Sequence, residues 1–220
     1  LAPNIRRAVE QGNPHPIEVE DWSNAAISMR YLAGALNLPF MATRSMLGSD
    51  ILKHNKRIKV INDPYEGKPL ALVPAARPDV AIIHVQRADI MGNAQVWGFT
   101  GNDENKVRAA KHTIITCEEI VSSEEIRRNG NLTIIPFYCV DAVVQVPYGC
   151  HPQSCYGYYA YDVLFCGEFH QASSTREGFL QWLDTYVYEC EDHSAYCTKV
   201  GWNRLQKLTY LERQFNRIRA

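Results

Sequence analysis

The run from Val80 to Val85 constrains the fold of this chain more than any other stretch. It is apolar except for His84, rich in β-branched residues, and too short for a free-standing helix. Such a run is typical of a strand that is buried on both faces inside a parallel sheet. Polar residues follow, and Gly92-Asn93 then forms a turn pair that tolerates positive φ. Because ligands in open α/β sheets bind beyond the carboxyl ends of such strands, the segment after Val85 is the first candidate for chemistry.

Other short apolar runs and helical repeats extend this α/β interpretation. The expected elements, in chain order, are helix 1–12, strand 17–20, helix 24–36, a short helix 51–55, strands 58–61, 70–73 and 113–117, a short helix ending at 128, strands 132–135 and 140–146, and helices that start near 175 and 202. The small residues Ala33, Gly34 and Ala35 predict close packing of one helix, and Gly130 suits a left-handed helix end. We therefore expect an open, mainly parallel sheet flanked by helices in a domain of residues 1–170, followed by a C-terminal helical pair within 171–220.

Composition excludes several classes of function. The chain has 220 residues, 46% of them hydrophobic, with a formal net charge of -1. This balance predicts no nucleic-acid partner and no acidic membrane surface as partner. We see no apolar run near the roughly 18 residues that a membrane span needs.

The cysteines indicate a reducing compartment rather than a metal or disulfide framework. There are seven, an odd number, and no Cys-x-x-Cys pair occurs. Cys150 and Cys155 flank His151, but no second ligand pair with zinc-site spacing accompanies them, so no metal site is expected. Reduced thiols predict a cytoplasmic protein.

Two loops carry residue types that suit ligands, and each also has an ordinary structural explanation. The loop from Thr43 to Asp50 combines a cation, hydroxyls and a glycine before a short helix, which would offer backbone N–H groups to an anion. It lacks a Gly-Lys-Ser/Thr ending, and an ordinary capped loop explains it equally well. The loop from Pro147 to Tyr159 is rich in aromatic residues, which would line a pocket or pack against a neighbouring subunit.

Four motifs, taken in order, resemble the alpha chain of class I CoA-transferases of the glutaconate CoA-transferase type. The motifs are Glu20-Asp21-Trp22-Ser23-Asn24, Thr43-Arg44-Ser45 with Leu47-Gly48-Ser49-Asp50, His84-Val85-Gln86 with Ala88-Asp89 and Gly92-Asn93, and Val146-Pro147-Tyr148-Gly149 with His151-Pro152. Each motif alone is weak, and the four in sequence are specific. The chain opens Leu1-Ala2-Pro3-Asn4 without the glycine-rich loop with which family members begin, so roughly the first third of the family is expected to be missing.

The resemblance implies an enzyme that moves CoA between carboxylic acids by covalent catalysis. In this mechanism a glutamate of the partner beta subunit attacks the acyl-CoA thioester. This chain has no counterpart of the motif that contains that glutamate. Its two Glu-Gly pairs are expected in a turn (Glu66-Gly67) and near a helix start (Glu177-Gly178), where neither glutamate suits a nucleophile. The expected partner is a beta subunit, in a heterodimer or heterotetramer. The substrates are an acyl-CoA and a carboxylic acid, and no permanently bound cofactor is implied.

The resemblance also assigns candidate site residues. Those expected to bind substrate or CoA are Ser45, Gly48, Ser49, Gln86, Gly92, Asn93, Tyr148 and Gly149. His84 is expected to be a buried structural histidine, because the family mechanism uses no catalytic histidine.

Two alternatives keep the fold and change the function. Related hydrolases open rings of steroid-derived CoA thioesters, and in that case Glu20, placed at the end of a strand, would be the base and Arg44 would stabilise the developing negative charge. The structural alternatives are a solvated Glu20 beside a helix cap and an ordinary salt bridge for Arg44. The second alternative is a non-catalytic domain that senses sugar phosphates. The sequence shows no DNA-binding segment beside it, which counts against this alternative.

Overall fold

A computed structural model describes residues 2–219, with side chains up to residue 215. The nine α-helices of this part are α1 (Pro3–Gln11), α2 (Asn24–Ala35), α3 (Ile51–His54), α4 (Asp103–Ala109), α5 (Ser123–Arg128), α6 (Val163–Ala172), α7 (Arg176–Leu183), α8 (His193–Val200) and α9 (Trp202–Arg219). The eight strands are β1 (Phe40–Thr43), β2 (Lys59–Asn62), β3 (Pro69–Pro74), β4 (Val80–Ala88), β5 (Ala94–Gln95), β6 (His112–Ile120), β7 (Thr133–Ile135) and β8 (Ala142–Gln145).

These elements form two compact units. The sheet unit spans Glu20–Gln145, and the helical unit joins the first 19 residues to the segment from Val146 onward. The helical unit is therefore discontinuous in sequence, and its boundaries fall at 19/20 and 145/146. The division at 170/171 expected from the sequence stays a prediction about the extent of the family domain.

The larger sheet of the sheet unit has the strand order β7-β5-β4-β6-β8. Strands β4, β6 and the edge strand β8 are parallel, with His84 opposite Thr116 and Ile82 opposite Ile114. On the other side of β4, strand β5 pairs in antiparallel fashion with β4 and with the edge strand β7. The α/β fold with a sheet flanked by helices is confirmed, and the sheet is mixed, with parallel pairing from β4 to β8 and antiparallel pairing from β4 to β7.

Strand β4 was expected to be buried on both faces, and this expectation is wrong at its N-terminal half. Ala81, Ile83 and Val85 point into the core, whereas the side chain of Ile82 is 67% exposed. The apolar run signals a strand correctly. However, an apolar residue costs little when left on a surface, so the run does not require two covered faces.

A second, antiparallel sheet of order β1-β3-β2 packs with helix α2. Ser23 begins α2 by accepting a hydrogen bond from the Ala26 amide, as its residue type predicts. Gly34 confirms the expected close packing, because a Cβ there would lie 2.1 Å from the carbonyl oxygen of Ala76 and 2.8 Å from Cβ of Ala109.

The helical unit is built around a core from α6, α8, α9 and the preceding loop, in which Phe165, Leu205 and Tyr159 are buried. Thr175 begins α7, as predicted, by accepting a hydrogen bond from the Gly178 amide. Helix α9 starts at the predicted residue, Trp202. Between residues 2 and 219, none of the helices has the length and apolar character that a membrane span requires.

Two local predictions are wrong. The segment 17–20 alternates apolar and polar residues but forms no strand, and its residues are exposed. Glu20 therefore does not lie at the end of a strand. Gly130 is not a left-handed helix end either: α5 ends at Arg128, the next residue Asn129 has φ -124, and Gly130 begins a short 3-10 turn.

Candidate active site

The predicted site residues of the sheet unit fall into two groups, one beside α2 and β1 and one after β4. In the first group, the Ser45 hydroxyl lies 2.6 Å from that of Ser23, the residue that caps α2. The Ser45 amide donates to Oγ1 of Thr43, which closes a local turn. The contact with Ser23 ties the loop 43–50 to the start of α2, and the bond to Thr43 shapes the loop itself.

The rest of this loop uses its polar groups internally. The Ser49 hydroxyl and amide both donate to the carbonyl oxygen of Met46, and the Leu47 amide donates to Arg44. Gly48 has φ +79, which explains the glycine, while a Cβ there would meet nothing within 4 Å. The loop therefore bonds within itself, as an ordinary loop does, but the Asp50 side chain does not cap α3, and there is open space beside Gly48.

Glu20 is held by three side chains. The Trp22 indole donates to Oε2 at 3.0 Å, an Arg57 nitrogen lies 3.1 Å from Oε1, and an Arg30 nitrogen lies 3.7 Å from Oε2. The hydrogen bond from Trp22, opposed by partial burial and reinforced by Arg57, lowers the pKa of the Glu20 carboxyl. Glu20 is therefore an ionised, paired carboxylate, and the lowered pKa makes it a weaker base.

Arg44 is an accessible cation. Its side chain is 63% exposed, and its guanidinium lies 3.7 Å from Oε2 of Glu66. Lys68 lies 2.6 Å from the same carboxylate oxygen. An exposed ion pair of this length holds the side chain only weakly, so Arg44 keeps the freedom to meet another anion.

The second group lies at the C-terminal end of β4. Gln86 is buried and donates from Nε2 to the carbonyl oxygen of Trp97, 2.9 Å away. On the same strand, His84 bonds through Nδ1 to Thr116 and through Nε2 to Glu118 of β6, at 2.9 and 2.7 Å. Both ring nitrogens thus have partners within the sheet, in agreement with a structural histidine.

A fully buried carboxylate, Asp89, organises the turn after β4. It accepts hydrogen bonds from the amides of Met91 and Asn93, from Nδ2 of Asn93 and from the Ser123 hydroxyl. Burial favours the protonated acid, but these donors outweigh it and lower the pKa of Asp89. Asp89 belongs to the third family motif quoted above but was not among the predicted site residues, although an Asp that begins a turn ending in Gly-Asn has a recognised signature.

This turn explains Gly92 and Asn93 without a ligand. Gly92 has φ +102, and a Cβ there would lie 2.9 Å from Cβ of Val140. The Asn93 side-chain oxygen accepts from the Phe137 amide at 3.2 Å. The close approach at Gly92 is therefore to the protein's own backbone and side chains.

Tyr148 and Gly149 belong to the helical unit. Tyr148 adopts φ +62, its hydroxyl lies 3.1 Å from that of Thr209, and its ring lies 5.0 Å from that of Tyr159. The Gly149 amide closes a turn to the carbonyl oxygen of Val146. The aromatic loop packs against its own unit at these positions.

Comparison with protein-family models matches residues 2–146 to the coenzyme A transferase family. The match covers well over half of the chain and includes all the predicted site residues of the sheet unit. The chain belongs to the coenzyme A transferase family.

Similar family members include the A subunits of two CoA-transferases. That of 3-oxoadipate CoA-transferase from Pseudomonas knackmussii is 40% identical over 197 residues, which cover 90% of this chain and 69% of that protein. That of glutaconate CoA-transferase from Acidaminococcus fermentans is 39% identical over 208 residues, which cover 87% and 65%. A weaker similarity, 28% identity over 198 residues covering 86% and 68%, relates the chain to the IpdA subunit of a cholesterol ring-cleaving hydrolase from Mycobacterium tuberculosis.

The solved structures agree with this family. The crystal structure of glutaconate coenzyme A-transferase from Acidaminococcus fermentans superposes with a TM-score of 0.89 at 38% identity, over 94% of this chain and 70% of that chain. The resemblance inferred from the four motifs is thereby confirmed.

This family member spans only part of the length of its relatives. It covers 65% of the glutaconate enzyme's A subunit, and 47% of a protein from Archaeoglobus fulgidus that is 43% identical over 213 residues, or 96% of this chain. The activity, substrates and partners of the whole protein therefore belong to the proposal that follows.

Proposed function

We propose that the chain is the alpha part of a heteromeric CoA-transferase that moves CoA between two carboxylic acids. The observation that carries this proposal is the 40% and 39% identity to the A subunits of 3-oxoadipate and glutaconate CoA-transferase. Both relatives are named as one subunit of a larger enzyme, which supports a beta subunit as partner. The acyl-CoA thioester is a substrate, and no permanently bound cofactor is invoked.

The proposed chemistry divides the transfer into covalent steps. A glutamate carboxylate of the beta subunit attacks the thioester carbonyl, and CoA leaves as the thiolate while an anhydride forms. The thiolate then attacks the glutamyl carbonyl of the anhydride, which releases the first acid and leaves a glutamyl-CoA thioester. The acceptor carboxylate repeats the two steps in reverse order, so that acyl-CoA and the free glutamate are formed.

Among the residues of this chain, Arg44 is the strongest candidate for a direct role. Both substrates are anions, and negative charge develops on the thioester oxygen during attack, so that an exposed and weakly paired guanidinium is suited to either task. Gln86 and the turn at Gly92 and Asn93 support the site indirectly, since their hydrogen bonds and backbone shape hold the end of β4. Gly48 has open space beside it, whereas the hydroxyls of Ser45 and Ser49 form hydrogen bonds within the protein.

The hydrolase is the second candidate function, favoured by the 28% identity to the IpdA subunit. In that reaction Glu20 would be the base that activates water or accepts a proton. The lowered pKa of Glu20 and its contacts with Trp22 and Arg57 count against this role. The transferase is therefore the function that the geometry supports better.

The test mixes the chain with a candidate beta subunit and measures CoA transfer from an acyl-CoA to an acceptor acid. Transfer that needs both subunits is expected, and thioester hydrolysis without an acceptor acid would identify the hydrolase instead. Arg44→Ala should lower kcat/KM at least tenfold. Glu66→Ala removes the same ion pair from its other side and should leave kcat/KM nearly unchanged.

Glu20→Gln separates the two enzymes within the same assay. A transferase should lose little activity, whereas a hydrolase that uses Glu20 as its base should lose nearly all of it. A cytoplasmic location is part of the proposal, and the seven free thiols support it.

A further inference from the structure

A cavity of about 460 Å³ lies in the sheet unit between the turn after β4, helix α5 and strand β7. We call it the Met91 cavity. Its apolar wall is formed by Met91, Ile126 and Phe137, and its polar rim includes Arg127 and Thr133. The volume falls within the range of about 300–1,000 Å³ that is usual for small-molecule sites.

Two buried polar side chains hold the walls of this cavity in place. Asp89 ties α5 to the turn through Ser123 and Asn93. Gln95 donates to the carbonyl oxygens of Ile126 and Asn129, both at 2.9 Å, and to Oγ1 of Thr133 at 3.3 Å. A cavity whose walls are fixed by its own hydrogen bonds needs little ordering when a ligand enters, which favours binding.

The charged side chains of α5 differ in how they are paired. Glu124 pairs with Arg128 at 2.8 Å, and Glu125 pairs with Arg87 at 3.1 Å. The Arg127 guanidinium makes no hydrogen bond or ion pair within the part of the chain that the structure describes. The carboxylate of Asp89 is fully buried, accepts four hydrogen bonds from neutral donors, and forms no ion pair with Arg127 in the part of the chain that the structure describes.

The hydrogen-bonding groups suit a singly charged head group. Arg127 can present a bidentate fork to a carboxylate. The Thr133 oxygen accepts from Gln95, which leaves its hydroxyl hydrogen to donate. A single cation and one hydroxyl match one carboxylate better than a doubly charged phosphate, and the apolar wall matches a hydrocarbon body.

We propose that the Met91 cavity binds a small carboxylic acid with a short apolar chain, held by Arg127 and by contact with Met91, Ile126 and Phe137. The proposal concerns binding alone. It therefore stands or fails separately from the proposed transferase activity, which is measured with a beta subunit.

The test uses the full chain labelled with ¹³C on the methionine methyl groups. The four methionines give one reporter in the cavity, Met91, and three internal controls, Met29, Met41 and Met46, which lie in the core beside α2. Titration with hexanoate should shift the Met91 signal saturably and leave the other three unchanged. Hexan-1-ol and hexylammonium, which carry the same chain without the anion, should bind at least tenfold more weakly.

Matched variants identify the residues responsible. Arg127→Gln should weaken hexanoate binding at least tenfold, whereas Arg128→Gln, which removes the same charge one residue away, should change it less than twofold. Gly130→Leu should abolish the shift by filling the cavity, because a Cβ at Gly130 meets nothing within 4 Å and the residue has no positive φ. Gly167→Leu, at a helical glycine with equally open space in α6, is the control for the substitution itself.

Several results would overturn the proposal. Without a saturable Met91 shift, the cavity binds no such acid, and a macromolecular partner becomes the better occupant. Equal binding of hexanol, or unchanged binding in Arg127→Gln, would leave an apolar cavity without an anion site. Tighter binding of hexyl phosphate than of hexanoate would replace the carboxylate by a phosphate.

Discussion

His151 shows how a single buried residue can make a folded unit sensitive to pH. Its Nε2 lies 3.2 Å from Asp162, and its Nδ1 lies 2.7 Å from the Tyr196 hydroxyl. Although burial favours the neutral acid, the hydrogen bonds from Arg204, the Phe165 amide and His151 hold the pKa of Asp162 at about 2. Asp162 is therefore an acceptor only, so Nε2 of His151 donates to it and Nδ1 accepts from Tyr196.

This arrangement predicts a loss of stability as the pH falls from 7 to 5. Burial lowers the pKa of His151 and outweighs the opposing effect of Asp162. The unfolded chain then binds more protons than the folded one below the ordinary histidine pKa of about 6.5. The contribution of neutral His151 to the free energy of unfolding is therefore fully present above the ordinary histidine pKa of about 6.5, and it is lost as the pH falls toward the lowered pKa of the folded state.

Urea unfolding at pH 7 and pH 5 checks this prediction. In His151→Gln, the free energy of unfolding should fall less between the two pH values than in the unsubstituted chain. His15→Gln alters an exposed histidine and should keep the original pH dependence. Equal pH dependence in all three proteins would contradict the prediction.

At the residue scale, the sequence indicates which residue types are present but not which partners they find. Arg44 and the loop 43–50 stand out in the sequence as a segment with polar chemistry. The partners of Glu20, however, include Arg30 and Arg57, which lie 10 and 37 residues away along the chain. Three of the four hydrogen bonds to Asp89 come from the local turn through Met91 and Asn93, and only the donor Ser123, 34 residues away, depends on the folded chain.

At the scale of the elements, Gly34 shows how closely two helices of the sheet unit approach. It lies in α2, and an added Cβ would overlap the carbonyl oxygen of Ala76 and approach Cβ of Ala109 in α4. Alanine normally stabilises a helix interior by up to about 1 kcal/mol relative to glycine. Here the overlap with a backbone atom reverses the sign, because overpacking costs about 1–3 kcal/mol.

The prediction is that Gly34→Ala lowers the free energy of unfolding by about 2 kcal/mol, because an overpacking cost of up to about 3 kcal/mol exceeds the helix-propensity gain of about 1 kcal/mol. Gly167→Ala, in helix α6, should leave it unchanged or raise it by up to about 1 kcal/mol, because nothing lies within 4 Å of the added Cβ. Urea unfolding of both variants provides the measurement. Stabilisation by Gly34→Ala would show that α2 can move away from Ala76 at little cost.

Elements with a strong local signal were predictable, and elements that depend on distant pairing were not. The apolar run of β4 and the serine cap of α2 are local signals, and both elements occur where they were expected. The alternation at residues 17–20 is also a strand signal, but no other strand of the described chain pairs with it. Strand β1 was missed because it is defined by its antiparallel pairing with β3, some thirty residues later.

At the scale of the whole molecule, the family was predictable and the division into units was not. Family membership depends on motifs that are read along the chain. The helical unit instead brings together two segments that are separated by the entire sheet unit. The boundary predicted at 170 marks the point at which the sequence pattern becomes helical. The compact units are instead defined by contacts between residues that lie far apart in the chain.

Arg7 provides the test of this long-range connection. Its guanidinium donates to the carbonyl oxygens of Ser173 and Ser174, at 3.0 and 2.6 Å, and so caps the C-terminal end of α6 from helix α1. Hydrogen bonds from a charged donor contribute about 1.5–3 kcal/mol. Arg7→Ala should therefore reduce the hydrogen-exchange protection of α1 and α6 together.

Arg6→Ala separates this effect from a general effect of charge in α1. Arg6 is exposed, and its ion pair with Glu10 has a separation of 3.8 Å. Such a pair contributes less than about 1 kcal/mol, so protection of both helices should stay close to that of the unsubstituted chain. If Arg7→Ala loosened α1 but left α6 unchanged, residues 1–19 would be attached to the helical unit without stabilising it. Loss of protection in both helices would show that the contact between residues 1–19 and the end of α6 stabilises both segments of the helical unit.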